Sequence, residues 1–357
     1  MRKLASIRKI EEIKPIDGAD AIEAVRVDGW WVVSKKGEFK VDDMCVYFEV
    51  DSFLPIRPEF EFLRKSCFRS TKNLGDGFRL KTIKLRGQIS QGLVLPITIM
   101  SAFGDYYKGI IPPNHWSNGT HSVAHVEGAD CTNMIGVQKW ELPLSPQLAG
   151  KAKGNFPSFL KKTDQERIQN CYKQMQRDHA NKLFEATLKL DGSSMTVYLK
   201  DDVFGVCSRN LDLQETEDNT FWKVARKNKF EEMLRAYGKN VAIQGELMGP
   251  GIQGNRENLP DHEFFMFDVW NIDTHEYYTT MERLDFVEDC RDLGFTIRVV
   301  PYLGLQAIMT HTLDGILAMS EVESIMHPVA EGIVYRCYED GSVSFKAINN
   351  KFLLQEK

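Results

Sequence analysis

The sequence predicts an α+β protein in two parts, and three observations carry that expectation. The first hundred residues are short strand-like runs separated by turn signals. A stretch with Pro112-Pro113, Asn118-Gly119 and Gly128 then interrupts the pattern. The remainder mixes alternating strands with well-capped helices.

In the first part, Ala21 to Val27 reads as a strand, and Asp28-Gly29 as a hairpin turn before Trp30-Trp31-Val32-Val33. Met44 to Val50, Phe78 to Leu85 and Gly92 to Ile97 follow as further β runs. About five strands with no strong helix point to a small β-barrel, OB-like, over residues 1–105. Residues 106–130 read as a linker, and a second domain covers 131–357. There, Thr279-x-x-Glu282 is a capping box opening a helix that ends at Gly294. Ser320-x-x-Glu323 predicts another helix, stopped before Pro328. Phe221 to Tyr237 carries a partial helical stripe.

Composition narrows the function. The chain has 357 residues, 43% hydrophobic and 27% charged, which suits two ordinary domains. No apolar run is long enough to cross a membrane, and the N-terminus does not read as a secretory signal. Seven scattered cysteines, with no Cys-x-x-Cys pair, point to a reducing, cytoplasmic setting rather than a disulfide framework. The histidines lack zinc-ligand spacing. A net charge of −5 argues against a generic basic nucleic-acid coat. A local basic patch nevertheless runs through Arg64, Lys65, Arg69, Lys72, Arg79, Lys81, Lys84 and Arg86.

The chemistry concentrates at strand ends. Phe184, Ala186, Leu188 and Leu190 alternate with Glu185, Thr187, Lys189 and Asp191, so Lys189 and Asp191 share the polar face of one strand. Gly192-Ser193-Ser194 turns the chain into a second strand from Met195 to Lys200. Val241 to Glu246 is a strand ending in a carboxylate, and Glu331-Gly332 opens another. Val343, Phe345 and Ala347 put Lys346 on a polar face. Singly, each of these is an ordinary turn or surface pair.

Together, Lys189-Leu-Asp-Gly192, Ser208-Arg209-Asn210, Gly245-Glu246-Leu-Met-Gly249, Phe264 to Trp270, Glu331-Gly332-Ile-Val334 and Phe345-Lys346 resemble six ordered motifs of the covalent nucleotidyltransferases. That superfamily contains DNA ligases, RNA ligases and mRNA capping enzymes. Gly136 to Glu141, Phe156 to Asn170, Gly249 to Asn255 and Thr82 to Gly92 resemble one class in particular, the nick-sealing ATP-dependent RNA ligases with an N-terminal OB domain. The pattern departs from the family at Ile348, where a second lysine is frequent.

The resemblance implies that the second domain is a nucleotidyltransferase domain built of antiparallel sheets flanked by helices. It implies a monomeric enzyme joining 3′-OH and 5′-phosphate RNA ends in nicked or gapped duplex RNA, with ATP and Mg2+ or Mn2+. Lys189 would carry AMP covalently. Asp191, Glu246 and Glu331 would hold the metal through its waters, and Lys346 the α-phosphate. Thr187, Leu188, Arg209 and Phe267 would line the nucleotide pocket, with Phe267 stacking on adenine. Arg167, Arg209, Lys84 and Arg86 would contact RNA. A free lysine has a pKa near 10.4, so a reactive amine at about 7.5 requires about 4 kcal/mol of help. Nearby carboxylates push the wrong way unless a metal reverses the sign. The rival readings are a DNA ligase, a GTP-dependent capping enzyme and a catalytically silent RNA-binding protein.

Overall fold

The computed structural model describes residues 3–103, 126–141 and 150–355. Most of the stretch expected to be a linker lies outside them. The chain divides into two compact units, Met1–Pro143 and Leu144–Lys357.

In the first unit, Met44–Phe48 is the central strand, between Ala5–Lys9 and Leu93–Pro96. Its nearly unbroken apolar run is explained by burial on both faces. Val46 and Phe48 pack with Leu54, Phe60 and Phe78, while Cys45 and Tyr47 pack with Val25, Trp30 and Val32 on the other side. Glu12–Pro15, Ile22–Val27 and Trp30–Lys35 form a three-stranded meander. The Asp28-Gly29 hairpin is present, with Val27 paired to Trp30. The predicted run from Phe78 to Leu85 is not one strand. Gly75–Arg79 ends in one sheet, and Ile83–Leu85 pairs with Gln88–Ser90 in a separate hairpin. The sheets of this OB-like unit do not close into a single barrel among the described residues.

Residues 126–141 belong to this first unit rather than to the second domain. The Thr132 hydroxyl accepts the backbone N–H groups of Leu4, at 2.9 Å, and Ala5, at 3.2 Å. Gln138–Lys139 adds a strand beside Ser52–Pro55. The boundary therefore falls later than position 130, because the stretch after Gly128 satisfies edge donors of the first unit.

The second unit has two sheets. The larger runs, in spatial order, Ala152–Asn155, Leu211–Leu213, Val203–Ser208, Ser193–Lys200, Val241–Met248, Glu263–Asn271 and Glu276–Tyr277. The smaller runs Glu166–Arg167, Ser344–Ile348, Gly332–Cys337, Phe184–Lys189 and Tyr302–Gln306. Among the described strands, pairing is antiparallel except for the short parallel pair of Glu166–Arg167 with Phe345 and Lys346, and an isolated parallel bridge joins Met266 to Val299. Helices Thr220–Lys227, Phe230–Tyr237 and Thr280–Asp292 contribute Phe221, Phe230 and Phe286 to the core of the larger sheet. Helices Ile168–His179 and Leu313–Met319 cover the smaller one through Ile168, Cys171, Leu313 and Ile316.

The capping box at Thr279 and Glu282 is present, with both reciprocal bonds made. The stripe from Phe221 to Tyr237 is broken at Lys229, whose φ of 52° starts a second helix. The helix expected after Ser320 is not formed. Ser320 instead ends the Leu313–Met319 helix, its hydroxyl bonding back to the Leu317 carbonyl at 2.7 Å. The chain beyond bends back on itself, with Ala330 N–H on the Val322 carbonyl at 2.9 Å and Ser324 N–H on the His327 carbonyl at 2.8 Å. The Ser-x-x-Glu signal is local, and here the backbone groups it would cap are taken by this loop instead.

Replacing Thr132 by Val removes the acceptor for two buried N–H groups, so the first unit should lose about 1–3 kcal/mol of stability. Hydrogen exchange at Leu4 and Ala5 checks this. Unchanged protection of both amides would contradict the assignment of residues 126–141 to this unit.

Candidate active site

The site is built along the strand Phe184–Lys189. Its alternate residues Phe184 and Ala186 enter the apolar core beneath the smaller sheet. Glu185 and Thr187 point to the other face, yet both are buried. The face read as polar therefore faces protein rather than solvent, and each of its groups has a counterpart there.

Glu185 is paired with Arg283 of the Thr280–Asp292 helix. Thr187 Oγ1 accepts from Arg336 at 3.1 Å. Arg336 in turn holds Asp268 with two bonds of 2.7 and 3.2 Å, both side chains being almost wholly buried. Lys189, the last residue of the strand, donates to Glu331 Oε2 at 2.7 Å. Its side chain is 22% exposed, more than that of Glu185 on the same face.

Two glycines permit this closeness. A Cβ on Gly192 would come within 2.5 Å of the Leu247 carbonyl and 2.9 Å of Glu246 Cγ. Gly192 is thus the residue that lets the turn after Lys189 lie against the strand carrying Glu246, and its N–H donates to Glu246 Oε1 at 3.0 Å. Gly332 has φ of 153°, and a Cβ there would meet the Ala347 carbonyl at 2.2 Å. Its place beside Lys189 in the ladder sets Glu331 next to the lysine.

The electrostatics follow from crowding. Burial alone would push Lys189 down, but Glu331, Glu246 and Asp191 together hold it above the usual lysine range. Burial pushes the Glu246 carboxyl up to about 8; the Lys189 ammonium opposes this, while Glu331 adds to it. Lys346, across the ladder from Val334 and beside Arg167, is pushed down to about 7 by burial, with the positive charges of Lys189 and Arg167 adding to it. The site thus concentrates both signs within a few strand ends.

Of the residues picked out in the sequence, the structure links Lys189, Asp191, Glu246, Glu331, Lys346 and Arg167 by direct contact or by electrostatic interaction, while Thr187 is bonded to Arg336 instead. Leu188 is buried behind them, its N–H on the Pro301 carbonyl at 2.9 Å. Phe267 is half-buried, with the Arg336 guanidinium 5.5 Å over its ring. Arg209 is exposed and paired with Asp164 at 2.6 Å. Lys84 and Arg86 lie on the exposed hairpin of the first unit, apart from this cluster in the chain's domain organisation. Within the basic run, Arg64 is bound to Glu61 and Arg79 lies over Trp140, so neither stands open to the surface as an isolated charge. Ile348 packs with Phe352 and Leu353, and Lys351 is paired with Glu321 at 2.8 Å. The Asp268–Arg336 pair and Arg283 were missed. Their signal was available as charged residues inside otherwise apolar strands and helix faces, where a lone charge demands a partner.

The donor set suits a hard divalent cation. Glu246 and Glu331 supply carboxylate oxygens, and burial makes the charged form of Glu246 costly without a cation nearby. Among the described residues, no three His, Cys, Asp or Glu side chains converge to ligate an ion directly.

Comparison with known proteins places this arrangement. The RNA ligase family matches residues 182–348, and an OB-fold domain family matches residues 4–97. An RNA ligase from Naegleria gruberi, solved as an aspartate-to-alanine variant in the apo state, is 45% identical, with a TM-score of 0.87, over 99% of this chain and 97% of its own. The chain belongs to the RNA ligase family. Variants of the Naegleria ligase solved with ATP and Mn, and with AMP and Mn, are each 43% identical over 99% of both chains, with TM-scores of 0.88 and 0.87. No curated protein gave a match. No described helix of this ligase is long and apolar enough to cross a membrane.

The raised Glu246 pKa has a measurable sign. Its folded pKa lies above the unfolded value of 4.5, so Glu246 destabilises the ligand-free ligase progressively as pH rises from about 5 through 8. The Glu246→Gln variant should melt close to wild type near pH 5 and increasingly above it toward pH 9. A melting difference by calorimetry that does not change with pH would contradict this.

Proposed function

We propose that this RNA ligase is ATP-dependent and works through a lysyl-AMP intermediate on Lys189, sealing nicks in duplex RNA. The observation that carries this reading is the Lys189–Glu331 contact at the end of a strand, flanked by Glu246 and by Lys346.

Three phosphoryl transfers make up the reaction. Lys189 Nζ loses a proton and attacks the α-phosphorus of ATP; the N–P bond forms as the P–O bond to pyrophosphate breaks. An oxygen of the RNA 5′-phosphate then takes the AMP, and the amine leaves. Finally the RNA 3′-OH attacks the 5′-phosphate, loses its proton and expels AMP. Such transfers depend mainly on positioning and charge neutralisation.

The residues divide these tasks. Glu331 orients the Lys189 amine and, as its hydrogen-bond acceptor, holds the proton nearby. Lys346, charged once a phosphate approaches, neutralises the α-phosphate. Arg167, next to Lys346 in the parallel strand pair, adds a second positive charge on the same side. Phe267 offers a ring face to adenine, and Thr187 and Leu188 form the wall behind it. Asp191, Glu246 and Glu331 would hold Mg2+ or Mn2+ through water. When bound, that ion favours the neutral amine and offsets charge on the phosphates.

RNA contact extends to the first unit. Its hairpin turns at Arg86-Gly87, both with positive φ, and presents Lys84 and Arg86 to solvent. These cations suit duplex phosphates, which are read by shape. Arg209 serves the RNA end near the site.

Two experiments test the reading. Lys189→Ala should keep the fold and lose the AMP adduct, seen as the missing mass increment of one AMP after incubation with ATP and Mg2+. An adduct on the variant would place the nucleophile elsewhere. EDTA should abolish labelling of the wild type.

The second concerns sugar preference. The strand presenting the 3′-OH must be placed for in-line attack, whereas the 5′-phosphate strand enters through a group that RNA and DNA share. Duplex nicks with deoxyribose at the 3′-OH end should seal at least about tenfold more slowly, and those with deoxyribose at the 5′-phosphate end within a few-fold of all-RNA. Equal rates with deoxyribose at the 3′-OH end would favour a DNA ligase.

A further inference from the structure

The segment after the Glu246 strand carries a charge that the proposed reaction does not use. Arg256 is half-buried, and its Nε lies 3.8 Å from Asp191 Oδ2. The other end of the guanidinium is anchored elsewhere. Its Nη2 donates to the Val329 carbonyl at 3.1 Å and to Gln355 Oε1 at 3.4 Å, and lies 3.2 Å from His327 Nδ1. The guanidinium carbon stands 4.7 Å over the Phe352 ring.

Each anchor leads to a different part of the site. Val329 is two residues before Glu331. Phe352 packs with Ile348, which ends the strand of Lys346. Asp191 is two residues after Lys189. The neighbouring Glu257, buried, accepts N–H groups of Met326 at 2.6 Å and His327 at 3.3 Å, as well as the Ser324 hydroxyl. Arg256 is thereby held against a braced segment while its Nε side stays toward Asp191.

We infer that Arg256 is a positioning residue of this ligase, holding the Asp191 carboxylate in register with Glu331 and Lys346. The inference rests on the proposed lysyl-AMP reading. The interaction with Asp191 is ionic rather than a hydrogen bond, since 3.8 Å exceeds hydrogen-bond range. Charge at this position therefore matters to Asp191, while the fork geometry matters to the Val329 and Gln355 anchors. A residue needed only for packing would show the reverse preference.

The test compares Arg256→Lys, Arg256→Gln and Arg256→Ala in single-turnover adenylylation with labelled ATP, at ATP concentrations spanning half-saturation, with melting curves for each. Loss of positioning should lower the limiting rate of Arg256→Ala and Arg256→Gln by roughly ten- to a hundredfold, with ATP half-saturation changed by less than about threefold. Arg256→Lys, which keeps a charge for Asp191 but not the fork, should recover a substantial part of that rate while melting no higher than Arg256→Gln. A glutamine variant as active as the lysine variant, rates that follow melting temperature, or all three variants within about twofold of wild type would each overturn the inference. If wild type forms no adduct on Lys189, the underlying reading fails instead; a labelled wild type with unaffected variants removes only the role of Arg256.

Discussion

The constraint on which the second unit depends is that the polar face of one strand is buried. Glu185, Thr187 and Lys189 share that face, and the first two are almost inaccessible. An unpartnered charge in such a place costs several kcal/mol. Each is therefore met by a group from another element: Arg283 for Glu185, Arg336 for Thr187, Glu331 for Lys189. Arg336 needs its own counterion, which the larger sheet provides as Asp268. The chain of compensation ties the two sheets and a helix into one arrangement, with Lys189 at the end of the strand it braces. Lys189 is the last residue of that row, at the end of the strand.

Within that frame the glycines are structural requirements of the site. Gly192 and Gly332 stand where a methyl group would strike the backbone carbonyl of an adjacent strand. They set how near Glu246 and Glu331 come to Lys189. The Lys-x-Asp-Gly and Glu-Gly patterns are in this sense descriptions of two close backbone approaches, with the charged residues placed by them.

What the sequence made legible was the part governed by period and spacing. Alternation from Phe184 to Asp191 located the strand and put Lys189 on a distinct face; the capping box at Thr279 located a helix start to the residue. What escaped was set by tertiary contact. Alternation shows that Glu185 and Thr187 share a face, but cannot show that the face is covered by Asp268, Arg336 and Arg283. Ser320-x-x-Glu323 satisfies the local rule for a helix start, and loses to the loop that the Ala330–Val322 hydrogen bond closes. Residues 131–141 read in the sequence as the opening of the second domain, yet Thr132 meets the edge of the first strand more than a hundred residues earlier. Arg256 carried no motif signal at all, because its meaning lies in partners distant in sequence.

The charge balance around Lys346 connects this architecture to the proposed chemistry. In the ligand-free protein its pKa of about 7 reflects burial beside Lys189 and Arg167, so near neutral pH a fraction of the side chains is uncharged. A phosphate brought between these cations favours the ammonium, and binding should draw in a proton. Lys189 stands at the opposite setting, kept charged by the same carboxylates that a divalent ion would neutralise. In the proposed reaction, nucleotide and metal would act on the two lysines in opposite senses, charging the one assigned to the phosphate and discharging the one assigned to attack. On that proposal the ligand-free site is set against reaction on both counts, so that the reactivity of Lys189 would depend on the joint arrival of nucleotide and metal.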